Sequence, residues 1–363
     1  MKHLGLLLIL LLIVRPTQAD ELHTLYDSVL VKAMGGVATS TALGTDALYL
    51  NPAGLAAQDS FEFQMGNVTV DGSTSALDQF ATYSALLGNS ATIASLQKVE
   101  GIPIFAKTQT TPTVLMSNLG IGIIYDIEAY QYTSNASLPQ SLIGAQITYG
   151  LQLGYGKSFF FGGAGGKRHK QASELRVGMA AKMLYRRGGY FILDPVDYFG
   201  LTDYMTLLKQ KTGGYGFGTG VDLGTQFIQP MGKRLKWQSG IAITDIGDTS
   251  FTSAQASPIR QNLSIGTGLV YDTGGMRLSL AYDMRNITQI TDPRQRNHLG
   301  AEIKIPMFSL YAGINQVSYT YGIGVDVWVA RITAAYYSQE LGVQAGALQD
   351  SRYALNCSAK ISF

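Results

Sequence analysis

From Val114 to its last residue the chain alternates between apolar and polar positions. Leu119, Ile121, Ile123, Tyr125, Ile127 and Ala129 are separated by Gly120, Gly122, Asp126 and Glu128. Ile143, Ala145, Ile147, Tyr149, Leu151, Leu153 and Tyr155 alternate with Gly, Gln and Thr. Tyr215, Phe217, Val221, Leu223 and Phe227 do the same. The final stretch, Ser351 to Phe363, sets Tyr353, Leu355, Cys357, Ala359, Ile361 and Phe363 against Ala354, Asn356, Ser358, Lys360 and Ser362. A period of two puts one face of a strand in an apolar medium and the other in a wet one. Phe61 to Val70 reads as a first strand. Further segments follow near 173–187, 236–246, 259–272, 275–290, 296–305, 307–315, 319–326 and 328–338.

A soluble sandwich would carry Lys and Glu on its wet faces. Here those faces are mostly Gly, Ser, Thr, Gln and Asn, which suits a confined lumen. The pattern therefore predicts an all-β fold, a transmembrane antiparallel β-barrel of about 14 strands (12–14). Composition agrees: charged residues are 14% of the chain, against roughly 25% in ordinary soluble domains. Mean hydropathy is only +0.10, too polar for a helical bundle in lipid. Tyr130, Tyr185, Trp237, Tyr271, Tyr319, Trp328 and Tyr336 fit interfacial girdles.

Residues 1–19 read as a signal peptide, with Lys2 and His3, an apolar run from Leu4 to Val14, and Thr17-Gln18-Ala19 before the cleavage point. The apolar run is too short for a spanning helix. Its removal takes two of the 27 Lys and Arg residues and leaves them level with the 25 Asp and Glu. The implied location is the cell outer membrane, with outer-membrane lipid and the barrel-assembly machinery as partners. The C-terminal strand supplies the assembly signal, Ile361 and Phe363.

Residues 20–59 are not strand-like. Small residues dominate Met34 to Ala57, and Leu43, Leu48, Tyr49, Leu50 and Leu55 need a surface to pack on. An N-terminal plug inside or under the barrel (60–363) suits the segment. Its stretch Asp46-Ala-Leu-Tyr-Leu-Asn51-Pro52-Ala53-Gly54-Leu55-Ala56 resembles the N-terminal signature of the long-chain fatty-acid transporter (FadL) superfamily of outer-membrane barrels, which includes PorV-like barrels of a secretion system. The resemblance implies a barrel of about 14 strands whose N-terminal segment folds into the lumen, with Asp46, Asn51, Pro52, Ala53 and Gly54 as the plug motif.

Anchoring Phe363 in the periplasm places loops 339–351, 247–258 and 188–212 outside and the Thr273-Gly274 turn inside. It also leaves the count at thirteen, one strand short of what a lumenal N-terminus needs. Three placements are open: a hairpin or wall break at Tyr149-Gly150, a strand hidden within 71–112, or a single kinked strand over 141–161. In the resembled family a kinked third strand opens the wall toward lipid.

Candidate chemistry is sparse. The sole Cys357 excludes an intramolecular disulfide, and the four His residues lack metal-ligand spacing, so no metal and no cofactor is expected. Gly162 to Lys167 has Arg168 where a phosphate loop needs Ser or Thr. Gly216-Phe-Gly218-Thr-Gly220 lies within a strand, so it is no dinucleotide fingerprint. His298 near Asp292 is the one pairing that a rim hydrolase could use; an ordinary lumenal polar residue fits it better, and no enzyme is expected. Asp126, Glu128, Arg176, Lys182, Arg186, Asp222, Arg277, Asp283, Arg285, Glu302, Lys304 and Asp326 point inward with both signs interspersed. Val196 to Leu208 reads as an apolar external helix, and Tyr198, Phe199, Leu201, Tyr204 and Met205 are a candidate landing site for a hydrophobic ligand. Two functions remain open: uptake of hydrophobic, fatty-acid-like small molecules through a plugged barrel, or a non-transport, secretion-accessory barrel with a protein partner. Nucleic acid is not among the expected partners.

Overall fold

The structure is a computed structural model describing residues 24–79, 98–134, 140–161, 172–193, 197, 210–290 and 292–362. The strands are β1 (Glu62–Ser73), β2 (Ile104–Thr110 and Thr113–Met116), β3 (Leu119–Ser134), β4 (Gln140–Phe161), β5 (Ser173–Leu193), β6 (Tyr215–Pro230) and β7 (Leu235–Thr244). They continue with β8 (Asn262–Asp272), β9 (Arg277–Met284), β10 (Asn297–Lys304), β11 (Phe308–Asn315), β12 (Ser318–Val327), β13 (Ala330–Glu340) and β14 (Gln349–Ser362). Each pairs antiparallel with its neighbours in sequence, and β14 pairs back onto β1. The described residues thus form a closed fourteen-strand barrel. Closure leaves no free sheet edge, so a surface facing lipid carries no unpaired backbone groups.

The missing strand is β2. Its two pieces share both neighbours, β1 and β3, and are one strand interrupted at Thr111-Pro112. Proline has no N–H to give the ladder. Opposite it, β1 carries an extra residue between Met65 and Val68, with Gly66 at φ +56°. Asn67 seals the irregularity by donating to Thr111 Oγ1 at 2.7 Å and accepting from Asn356 Nδ2 at 2.7 Å. The expected break at Tyr149-Gly150 is not there. Tyr149 pairs with Tyr125 and Tyr185, and Gly150 with Ile124 and Leu184, in unbroken register. β4 is a single strand of 22 residues.

Outward positions form an apolar belt, including Ile123, Leu153, Met179, Leu223, Ile241, Ile265, Leu280, Leu310, Ile332 and Leu355, all exposed. On β4 the belt runs from Tyr149 to Phe159. The ten steps between them, at about 3.3 Å each and tilted by about 40°, span about 25 Å, the height of a barrel's lipid-facing band. β3 to β5 continue past the belt as a wall on one side. Tyr185, Tyr336 and Trp237 lie on the outer surface as expected. Tyr130 does not: the even-numbered face of β3 turns inward, and Tyr130 is buried with Phe105 and Leu341.

Thr24 to Ala57 lies inside the barrel. Ser28 Oγ accepts the N–H of Val31 to start α1 (Val29–Ala33). Gly35 and Gly36, at φ +68° and +92°, end it in the left-handed region that glycine adopts at no steric cost. A second helix, α2 (Thr45–Leu50), leads to Asn51, whose Oδ1 accepts the N–H of Ala53 and caps a 3-10 turn over Pro52–Ala57. Glycines on seven strands make room for this backbone. A Cβ at Gly178 would lie 2.2 Å from the Pro52 carbonyl carbon, and one at Gly300 2.3 Å from Met34 O. Cβ atoms at Gly156, Gly240 and Gly313 would meet the backbone of Ala56, Thr39 and Gly35 at 2.5 to 2.6 Å, and at Gly224 and Gly322 the side chains of Asn51 and Ala33 at 1.9 and 2.6 Å. Among the described residues no helix is long and apolar enough to cross a membrane.

Candidate functional site

The inner segment is held from all sides by inward-facing side chains. On β9, Asp283 Oδ2 accepts the N–H of both Ala38 and Thr39 at 2.7 Å. On β4, Gln152 donates to Leu48 O at 2.8 Å, and on β12 Thr320 donates to Ala33 O at 3.0 Å. Asn51 Nδ2 bridges Thr39 O (2.6 Å) and Thr225 O (3.2 Å), tying the segment to itself and to β6. Pro52, Ala53 and Gly54 are buried in the turn that follows, where a Cβ on Gly54 would lie 2.2 Å from Ala42 O. Asp46 accepts the hydroxyl proton of Tyr26 at 2.7 Å, and the Tyr26 and Tyr49 rings stack at 4.4 Å. Burial pushes the Asp46 carboxyl up; the Tyr26 hydrogen bond opposes it without cancelling it.

The strongest polar cluster joins α1 to β1, β2 and β3. Lys107 Nζ lies 2.9 Å from Asp27, 3.3 Å from Glu128 and 3.4 Å from Asp126. Lys32 pairs with Asp27 at 3.2 Å and with Asp71. Burial alone would raise the Asp27 carboxyl, but Lys107 and Lys32 hold it well below the usual carboxylate range. Asp126 and Glu128 were visible in the inward-facing alternation. Lys107 and Asp71 were not, because they lie in the stretch read as an insertion. A second pair locks β5 to β6, with Lys182 2.9 Å from Asp222 and 2.9 Å from Asp245.

Three cavities follow the inner segment. One of about 50 Å³ lies against Lys182, Asp245, Ile259 and Arg285, and one of about 80 Å³ against Lys107, Glu128, His298 and Arg285. The third, about 390 Å³, sits at the rim that carries both ends of the barrel, between Asp46, Glu62, Asp326 and Lys360. Tyr26 borders all three. Asp27 and Ser28 border the second and third. At the opposite rim, Phe105, Tyr130, Leu341, Tyr132, Leu142, Tyr190 and Leu348 pack into an apolar cluster, and loop 245–261 folds inward to bring Phe251 over Arg186 at 4.9 Å.

His298 and Asp292 do not pair. His298 Nδ1 bonds Gly35 O at 2.8 Å inside the barrel, while Asp292 takes Arg294 and the N–H of Ala345 in a loop. Tyr198, Phe199, Leu201, Tyr204 and Met205 lie outside the described residues, as do residues 1–23, the Gly162–Lys167 stretch and Phe363. Ile361 pairs with Phe63 across the closing seam. Cys357 is exposed on the outer face.

No family model and no curated protein matches the chain. Among solved structures it is similar to the Pseudomonas putida toluene transporter TodX, at 14% identity over 95% of this chain and 99% of that one, TM-score 0.47. It is similar also to the Ralstonia pickettii toluene transporter TbuX (12%, 94% and 99%, TM-score 0.45) and to a Pseudomonas aeruginosa FadL homologue (12%, 96% and 99%, TM-score 0.30).

Proposed function

We propose that the protein is an outer-membrane uptake barrel in which the inner segment is a gate for small, largely apolar molecules entering at the long-loop rim. The observation that carries this reading is the row of three separate cavities along one segment, all bordered by Tyr26. The Tyr26–Asp46 hydrogen bond lines the third cavity and the Asp27–Lys107 ion pair the second. These contacts are polar, so water can replace them when the segment shifts, in a way it cannot replace a packed apolar core. Tyr132, Leu142, Tyr190 and Leu348, only partly buried around Phe105 and Tyr130, give the mouth an apolar lining. The resemblance of Asp46 to Ala56 to the fatty-acid transporter signature fits the same reading. Cavities of about 50 and 80 Å³ do not hold a long acyl chain, so cargo of that size needs a larger displacement of the segment than a small ring or short chain does.

Ser40 and Gly268 allow a test. A Cβ at Gly268 lies 3.4 Å from Ser40 Oγ, within reach of a disulfide. In a Cys357→Ser background, the Ser40→Cys/Gly268→Cys pair is expected to stop uptake of a labelled hydrocarbon or fatty acid by whole cells when oxidised and to restore it on reduction. Uptake that ignores the lock overturns the gate, and uptake absent in every state favours the other reading, a permanently closed accessory barrel. The buried Lys107 cluster would suit that role as well.

A further inference from the structure

Arg285 follows β9 directly and borders both small cavities. Its guanidinium donates to Gly36 O, and among the described residues no carboxylate lies within ion-pair distance of it, Asp283 and Asp27 acting on its charge from further off. The contrast with its neighbours is sharp. Lys32, Lys107, Lys182 and Arg352 each hold a carboxylate. Asp283, two residues away, spends one oxygen on the backbone of Ala38 and Thr39. Arg186, the other inner guanidinium without a carboxylate, is occupied by Thr148, Ser257 O and the Phe251 ring.

A guanidinium offers five N–H donors in a fork that matches a carboxylate. Arg285 is only partly exposed, and an anion in either cavity would give it a closer, charge-assisted partner than Asp283 or Asp27. The cavities on either side share Tyr26 and Leu50, so each has an apolar wall beside the cation. One charged group beside an apolar wall is the arrangement that orients an amphipathic ligand. Volumes of about 80 and 50 Å³ limit that ligand to a few heavy atoms.

We propose that Arg285 binds the carboxylate of a short-chain monocarboxylate, with the alkyl tail against Tyr26 and Leu50. The barrel would then select among small apolar cargo for molecules bearing an acid group. The site rests on the uptake reading for its purpose, but its occupancy is a separate measurement.

The test uses the full chain in lipid nanodiscs, with propionate and its neutral isostere propionamide as probes in ligand-observed NMR titrations. Wild type is expected to bind propionate saturably and about tenfold more tightly than propionamide. Arg285→Gln is expected to bring the two level, and Arg285→Lys, which keeps the charge without the fork, to fall between. Equal binding of both probes by wild type overturns the proposal, and so does a preference that survives in Arg285→Gln. If Arg285→Gln does not fold, wild type and Arg285→Lys decide alone. Propionate binding in a barrel that shows no uptake in any state of the Ser40–Gly268 lock would sink the uptake reading and leave the site standing; lock-sensitive uptake without propionate preference does the reverse.

Discussion

Asp283 Oδ2 accepts the backbone N–H of Ala38 at 2.7 Å, across 245 residues of sequence, and takes the N–H of Thr39 with the same oxygen. One carboxylate on β9 therefore fixes the middle of the inner segment. Asp283→Ala leaves two N–H groups without an acceptor, at a cost of about 1–3 kcal/mol each. Amide hydrogen exchange at Ala38 and Thr39 is expected to rise at least tenfold while the β-ladder amides keep their protection. Unchanged exchange at these two positions would show that the segment is held elsewhere.

Gly178 tests the close approach on the other side of the lumen. Its backbone carries no unusual φ, so alanine strains nothing in β5 itself. The new methyl group instead meets Pro52 backbone at 2.2 Å. Gly178→Ala is expected to yield a closed barrel with the Pro52–Ala57 turn displaced, read as new protease cleavage after Ala57 with an intact barrel band on gels.

Lys107 neutralises three carboxylates, Asp27, Asp126 and Glu128. Removing one partner of a buried ion cluster costs about 3–5 kcal/mol. Lys107→Met is expected to lower the thermal transition of the inner segment sharply, and Glu128→Gln in the same chain to recover part of the loss. A Lys107→Met protein as stable as wild type would contradict the cluster's role in holding α1.

The same cluster predicts a pH response. Asp27 has its folded-state pKa depressed by Lys107 and Lys32 against the opposing effect of burial. Its contribution is therefore complete above the unfolded carboxylate value of about 3.9 and is lost as pH falls through the lower, folded value. Exchange at residues 24–34 is expected to accelerate only below about pH 4. Asp46, raised by burial, works with the opposite sign, so Asp46→Asn is expected to steepen the acid loss. A flat profile down to pH 3 would rule out Asp27 as the acid-sensitive link.

The lipid-facing alternation was legible because Ile, Leu and Tyr occupy the outer positions of β3 to β14 and small polar residues the inner ones. β2 reversed that cue. Phe105 is buried on its inner face with Lys107 and Gln109, while Ala106 and Thr108 face out, and Pro112 splits the run. The strand thus read as part of an insertion, and the missing count was assigned to Tyr149-Gly150. Gly150 is simply an inner position with no room for a side chain, 2.1 Å from Met183 O were a Cβ present. The Asn51 turn was legible as a turn. Its partners Thr39 and Thr225 were not, since no local pattern connects positions 174 residues apart. Tyr26 carries no signal in its own neighbourhood either, although it borders all three cavities along the inner segment.

The glycines facing the inner segment lie on strands scattered from β3 to β12, and the seam that closes the barrel joins β14 to β1. A barrel that closed first would have to thread Thr24 to Ala57 into a lumen already lined with buried charge, past a fit with no spare methyl group. A barrel that wraps its strands around the segment meets no such obstacle. The part of the chain made first is then the mandrel on which the rest is wound, and losing its shape should show up as failed biogenesis before it shows up as a leak.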